Sequence, residues 1–246
     1  MRRFGASRAA AWLLAAFGWA ALPAFAGSFS VSPIRIELAP SDRSVVLTIR
    51  NDGSELTLVQ AELMSWSQVD NDDRLEPTDD LLASPPIFSV APGTTQLVRI
   101  ALRRPADAAR ERAYRVIVSE VLGKPEVGVT GARVALRISL PVFVGAGAAE
   151  VSPQIEWSGV RSANGGLALT ASNTGAKHLQ IRAVDVSSDG TRADARFAGL
   201  WYVLPGQRRT MTIPPTEGRA ISAGRVRISA DTDAGTLAAD VDLGPR

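Results

Sequence analysis

The sequence predicts an all-β protein of two sandwich domains, and three observations carry that prediction. Short runs rich in β-branched residues recur along the chain, clusters of Gly, Pro, Asn and Asp separate them, and the order of these signals repeats once. Cysteine is absent, so no disulfide can staple the fold and apolar cores must hold it together.

The elements follow in chain order. Residues 1–26 predict a cleaved export signal. Arg2, Arg3 and Arg8 start it, an apolar stretch spans 9–21, and Pro23 and Ala24-Phe25-Ala26 supply the break and the small-x-small cleavage pattern. The apolar stretch is shorter than the roughly 20 residues of a membrane helix, and no later segment approaches that length. The expectation is an exported, periplasmic protein with no membrane insertion.

The mature chain opens with Val31-Ser32-Pro33-Ile34-Arg35-Ile36-Glu37-Leu38, where Ile34, Ile36 and Leu38 alternate with Arg35 and Glu37 as in a half-buried strand. Val45-Val46-Leu47-Thr48-Ile49 predicts a strand ending in the turn Asn51-Asp52-Gly53. Residues 70–80 are acidic and predict a solvated hairpin loop. Pro85-Pro86 and Ala91-Pro92-Gly93 punctuate the approach to the strand Leu97-Val98-Arg99-Ile100-Ala101-Leu102. After a possible short helical turn at 107–111, Tyr114-Arg115-Val116-Ile117-Val118 predicts another strand. The run Val134 to Val144 alternates Val134, Leu136, Ile138, Leu140 and Val142 on one face with Ala135, Arg137, Ser139 and Pro141 on the other. Pro141 cannot donate to a ladder, which predicts a sheet edge there.

Gly145-Ala146-Gly147-Ala148-Ala149 lacks side chains that could fill a core and predicts a linker over 145–152. Domains are therefore expected at 27–144 and 153–246. The second half repeats the signals of the first: Leu47-Thr48-Ile49-Arg50-Asn51-Asp52-Gly53 parallels Leu169-Thr170-Ala171-Ser172-Asn173-Thr174-Gly175, and Val90-Ala91-Pro92-Gly93 parallels Val203-Leu204-Pro205-Gly206. Tandem immunoglobulin-like domains would produce this order twice.

Charge and chemistry narrow the function. The chain carries 27 basic and 25 acidic side chains, and loss of the three leader arginines leaves a formal charge near −1. No basic run interleaved with aromatics exists, which argues against nucleic-acid binding. His178 is the sole histidine and follows an Asn-x-Gly turn, so it is expected at the surface or an edge rather than as a general base. No Gly-x-Ser-x-Gly elbow, metal-ligand spacing, calcium loop or phosphate-cradling glycine loop is present. The reading is a protein without enzymatic activity, cofactor or metal. Trp66, Trp157 and Trp201 are scattered and expected in cores rather than on a sugar-binding face.

Two features stand above this background. Arg35 offers a planar fork to a carboxylate. The 134–144 strand offers an edge for β-augmentation.

Together with Ser84-Pro85-Pro86-Ile87-Phe88-Ser89-Val90-Ala91-Pro92-Gly93-Thr94-Thr95-Gln96-Leu97-Val98-Arg99-Ile100, they give the chain a resemblance to the periplasmic chaperones of the chaperone–usher pilus pathway. Ile49-Arg50-Asn51-Asp52-Gly53 and Tyr114 to Val121 are similar to further segments of that family. The resemblance implies two immunoglobulin-like domains set as a boomerang. It implies partners, too: pilus subunits held by donor-strand complementation and an outer-membrane usher that receives them.

By the same resemblance, Arg35 and a lysine on the last strand of the first domain anchor the subunit's C-terminal carboxylate, while Val134, Leu136, Ile138 and Leu140 form the donor strand. The lysine's place falls on Ser139. Arg137, on the same face, is the expected replacement, with Arg133 and Arg99 as alternatives. The strand's ending Val142-Phe143-Val144-Gly145 also departs from the family pattern, as a divergent, archaic or spore-coat-like branch would. The competing reading is a structural or adhesive sandwich of a surface fibre.

Overall fold

The computed structural model describes residues 29–107, 109–123, 134–145, 152–162, 165–188, 193–216, 221 and 223–243. The expected leader, most of the expected linker and Arg133 lie outside these residues.

The first sandwich has ten described strands. One sheet runs in the order β1 (Phe29–Ser32), β3 (Ser44–Asn51), β8 (Thr95–Leu102), β6 (Leu81–Ser84). The facing sheet runs β2 (Ile36–Leu38), β10 (Arg137–Val144), β9 (Arg112–Glu120), β4 (Thr57–Val69), β5 (Asp72–Pro77), with β7 (Ile87–Val90) also on β4. Period-two alternation sends Leu47, Ile49, Val98, Ile100, Val116, Val118 and Val142 inward, and these form one apolar core.

The second sandwich packs β11 (Ile155–Arg161), β12 (Leu167–Asn173) and β15 (Arg208–Ile213) against β14 (Ala195–Val203), β13 (Leu179–Ser187), β16 (Gly224–Thr232) and β17 (Gly235–Leu243). Its own core gathers Leu167, Leu169, Ile181, Val184, Met211 and Ile228, with Trp157 and Trp201 packed against it. No α-helix occurs among the described residues.

The internal repeat is structural. Asn51 and Asn173 are both buried at the ends of their strands. Asn51 donates through Nδ2 to the carbonyls of Glu55 (2.7 Å) and Val90 (2.9 Å), and its Oδ1 accepts from the Gly53 N–H (2.9 Å). Asn173 donates to Lys177 (2.8 Å) and Val203 (3.0 Å) and accepts from Gly175 (3.0 Å). The Pro-Gly turn follows in both halves. The Gly93 N–H bonds the Asn51 carbonyl and the Gly206 N–H that of Asn173, with φ of 68° and 70° that glycine adopts without strain. One asparagine thus ties two turns together in each sandwich.

Two local expectations change. The expected single strand around Arg35 is two strands, β1 on one sheet and β2 on the other, because Pro33 has no N–H and the chain crosses between sheets at 33–35. Ile34 is consequently 75% exposed, while Ile36 and Leu38 are buried. The acidic stretch 70–80 is not a loop throughout. Asp70 and Asn71 both have positive φ (50° and 72°) and make a two-residue turn, after which β5 returns along β4 with Asp72 opposite Val69.

Candidate functional site

The long β4–β5 hairpin and the inner ends of β9 and β10 reach the second sandwich, and the contact is partly apolar. Trp66 of β4, Phe143 of β10 and Leu204 form a third cluster, with Ala113 and Tyr202 against it. Tyr202 meets Trp66 edge-on at 5.4 Å between ring centroids. Polar bonds fix the register around this cluster. The Gln68 side chain donates to the Tyr202 carbonyl (2.9 Å) and accepts from the Leu204 N–H (3.1 Å), and the Gln68 N–H donates to Gln207 Oε1. At the turn, Asn71 Oδ1 accepts from the Thr210 N–H (2.6 Å), and Asp73 pairs with Arg209 (2.6 Å).

His178, expected at the surface, is 2% exposed. Its ring stacks on Phe143 at 3.5 Å with the planes 7° apart. The expectation fails because the first sandwich packs over this position, with Glu111 and Phe143 against the ring. Nδ1 lies 2.6 Å from Glu111 Oε1, which also accepts the His178 backbone N–H at 3.0 Å. Nε2 lies 3.6 Å from Asp233, an ion-pair distance too long for a hydrogen bond.

Burial opposes the charged imidazole, but Asp233 and Glu111 outweigh it and raise its pKa. Burial likewise opposes ionisation of Asp233, but His178, the Gln180 N–H and Arg35 hold that carboxyl well below the usual range. Arg35 completes the chain of charges. It bonds Asp233 at 2.8 Å and Glu37 at 2.5 Å, and lies 5.6 Å over the Phe143 ring.

Arg35 lines a cavity of about 440 Å³ between the sandwiches. Ser139 and Pro141 of β10 and Arg115 of β9 contribute from the first domain, and Gln180, Trp201, Tyr202 and Arg209 from the second. The Arg115 guanidinium carbon lies over Trp66, 3.7 Å from the ring centroid. The structure therefore brings Arg35 together with Ser139, the position where the resemblance expects a lysine.

It does not bring Arg137 to the cavity. Arg137 is exposed and four residues from Pro141, roughly 13 Å along the strand at about 3.3 Å per residue. Arg99 is farther still, on the opposite sheet with Ser44 (3.0 Å).

β10 begins at Arg137, so Val134 and Leu136 precede it. Leu136 nevertheless continues the ladder, its carbonyl accepting from the Glu120 N–H (2.8 Å). Leu136 and Ile138 pack at the margin of the first core, Leu140 is inside it at 4% exposure, and Val134 is 69% exposed. β10 pairs with β9 over its whole length but with β2 only from Val142 to Val144. Among the described residues, 137–141 have no strand on the other side.

Sequence reasoning missed Arg115, Glu111, Asp233 and the inward His178. Only Arg115 had a legible signal, its alternation with Tyr114 and Val116 on β9. Among the described residues no group of His, Asp and Glu could hold a metal ion, and no helix is long and apolar enough to cross a membrane.

Residues 28–145 match the family described as Pili and flagellar-assembly chaperone, PapD N-terminal domain. No curated protein matches the chain. Solved structures do. The chain is similar to the complex of chaperone CsuC with tip adhesion subunit CsuE from archaic chaperone–usher Csu pili of Acinetobacter baumannii, at 19% identity and TM-score 0.65 over 89% of this chain and 100% of that one. It is also similar to the Salmonella enterica SafA pilin–SafB chaperone complex, at 18% and 0.59 over 87% and 96%, and to the E. coli chaperone DraB, at 19% and 0.56 over 88% and 97%. At these identities the likeness concerns the fold of two β-sandwiches.

Proposed function

We propose, from the premise that this chain belongs through its N-terminal domain to the pilus-assembly chaperones, that it binds pilus subunits in the periplasm by lending them a strand and passes them to an outer-membrane usher. The observation that carries this reading is the free edge of β10 at 137–141, ending at a cavity lined by Arg35.

A subunit lacking one strand exposes an apolar groove and a row of unpaired backbone groups. A lent edge satisfies both. Ladder alternation supports which groups are lent. The bonded pair Leu136–Glu120 implies that Ile138 and Leu140 also point their backbone groups at β9, leaving those of Arg137 and Ser139 outward. Pro141 follows in the outward set, where its missing N–H costs no bond to β9. The donor row of Val134, Leu136 and Ile138 runs inward to Leu140 in the domain's own core, so an added subunit would continue that core.

Arg35, with Arg137 farther up the strand, is the anchoring pair read from the sequence for the subunit's terminal carboxylate. Anchoring sets the register, because a one-residue slip would turn the apolar row outward.

Periplasmic co-expression with a pilus subunit tests the function. The expected result is a soluble one-to-one complex with wild type and its loss with Arg35→Ala. A subunit equally soluble without the chaperone, or a full yield of complex from the Arg35→Ala variant, would count against donation or anchoring respectively.

A further inference from the structure

We propose that Arg115, rather than Arg137, is the second cationic anchor for the client's C-terminal carboxylate; this rests on the reading just given and names a residue within it. Three observations converge.

The first is place. Arg115 stands directly opposite Pro141 in the β9–β10 ladder and diagonally from Ser139, and all three line the Arg35 cavity. Diagonal cross-strand neighbours are about 7–8 Å apart, within reach of an arginine side chain. A cation reaching from Arg115 therefore covers the site where the strand itself carries only a serine.

The second is charge. The other two arginines of the cavity are already paired, Arg35 with Asp233 and Glu37, and Arg209 with Asp73. Among the described residues Arg115 has no carboxylate within ion-pair distance: Asp73, in the same cavity, favours its charge from farther off but is itself paired with Arg209, and the Arg115 guanidinium lies over Trp66. Removing a guanidinium from water costs free energy unless an anion compensates. A subunit carboxylate would supply that compensation.

The third is orientation. The guanidinium carbon lies 3.7 Å over the centre of the Trp66 ring, a contact that restrains the head group at the cavity edge. A planar, restrained fork suits a terminal carboxylate, which can accept two parallel bonds from one arginine while Arg35 approaches from the other side. Arg137 is exposed and lies outside the cavity lining.

Subunit affinity is measured for the full chaperone with Arg115→Gln, Arg137→Gln, Arg115→Lys and the double variant Arg115→Gln/Ser139→Lys, each checked by thermal melting. Losing one side of a desolvated charge pair should weaken binding by about thirtyfold or more for Arg115→Gln, and Arg137→Gln should change it less than about threefold. Arg115→Lys retains the charge but not the planar fork, so its affinity should fall between those of wild type and Arg115→Gln. The lysine at Ser139 should restore binding to the double variant, which repair of packing alone would not do. Wild-type affinity in Arg115→Gln, or a loss that Ser139→Lys leaves unchanged, overturns the assignment. A wild-type chaperone that binds no subunit at all overturns the donation reading instead, so the two failures are distinct.

Discussion

At the scale of single residues, the paired asparagines show how few side chains set the turns. Asn51 bonds two carbonyls and one N–H, of which the bond to Val90 is buried and those to Glu55 and Gly53 are part-buried. Asn51→Ala should therefore cost about 2–4 kcal/mol, from three bonds of about 1 kcal/mol each plus the desolvated carbonyl of Val90. Urea denaturation followed by tryptophan fluorescence measures this, and Asn173→Ala should lose a similar amount in the second sandwich. A loss below about 0.5 kcal/mol at either site would mean that water replaces the side chain there. This much was legible, since Asn-x-Gly and Pro-Gly recur in the same order in both halves. The inward turn of His178 was not legible, because the residue's surroundings come from Glu111 and Phe143, 67 and 35 positions away.

At the scale of the element, β10 has two different sides. One is bonded to β9 throughout, and the other is free until β2 joins at Val142. Ser139 sits in the free half and holds the last outward N–H before Pro141, which has none. Ser139→Pro should then remove the edge donor while leaving the β9 ladder whole. The expected outcome is a folded chaperone, with an unchanged far-ultraviolet spectrum and a melting temperature within a few degrees of wild type, that no longer recovers subunit. Undiminished recovery would show that backbone pairing along 137–141 does not hold the client. The edge itself was readable from Pro141. Where the free part stops was not, because β2 begins only after Pro33 sends the chain across to the other sheet.

At the scale of the whole molecule, the two sandwiches are joined through titrating groups, and the sign of the pH dependence follows. His178 has a raised folded pKa, so its contribution is complete below the unfolded value near 6.5 and is lost as pH rises through the folded value. Asp233 has a depressed one, so its contribution is complete above the unfolded value near 3.8 and is lost as pH falls through the folded value. Glu111 and Arg35 face the same imidazole, one favouring its charge and the other opposing it.

Stability to urea should thus be greatest between about pH 4 and 6.5 and decline above that window. His178→Gln should flatten the decline on the alkaline side. An identical alkaline slope in wild type and variant would remove His178 from the account. The same cluster bears on Arg35→Ala, which deletes the Asp233 bond as well as the proposed anchor. A paired measurement of client affinity and of urea stability separates the two losses.

The strands at 45–49, 97–102 and 114–118, the twofold pattern of turns and the edge at Pro141 were determined by the sequence alone. Each depends on local geometry: side chains alternate with period two, glycine adopts positive φ, and proline lacks an N–H. Which charges meet was decided only by the tertiary structure. Arg35, the segment carrying Glu111 and Arg115, His178 and Asp233 lie far apart in the chain, and packing one sandwich against the other supplies both the low-dielectric surroundings and the partners that give each its role. Arg115, not Arg137, lines the cavity with Arg35, because register across β9 and β10, rather than proximity in sequence, sets which side chains share it.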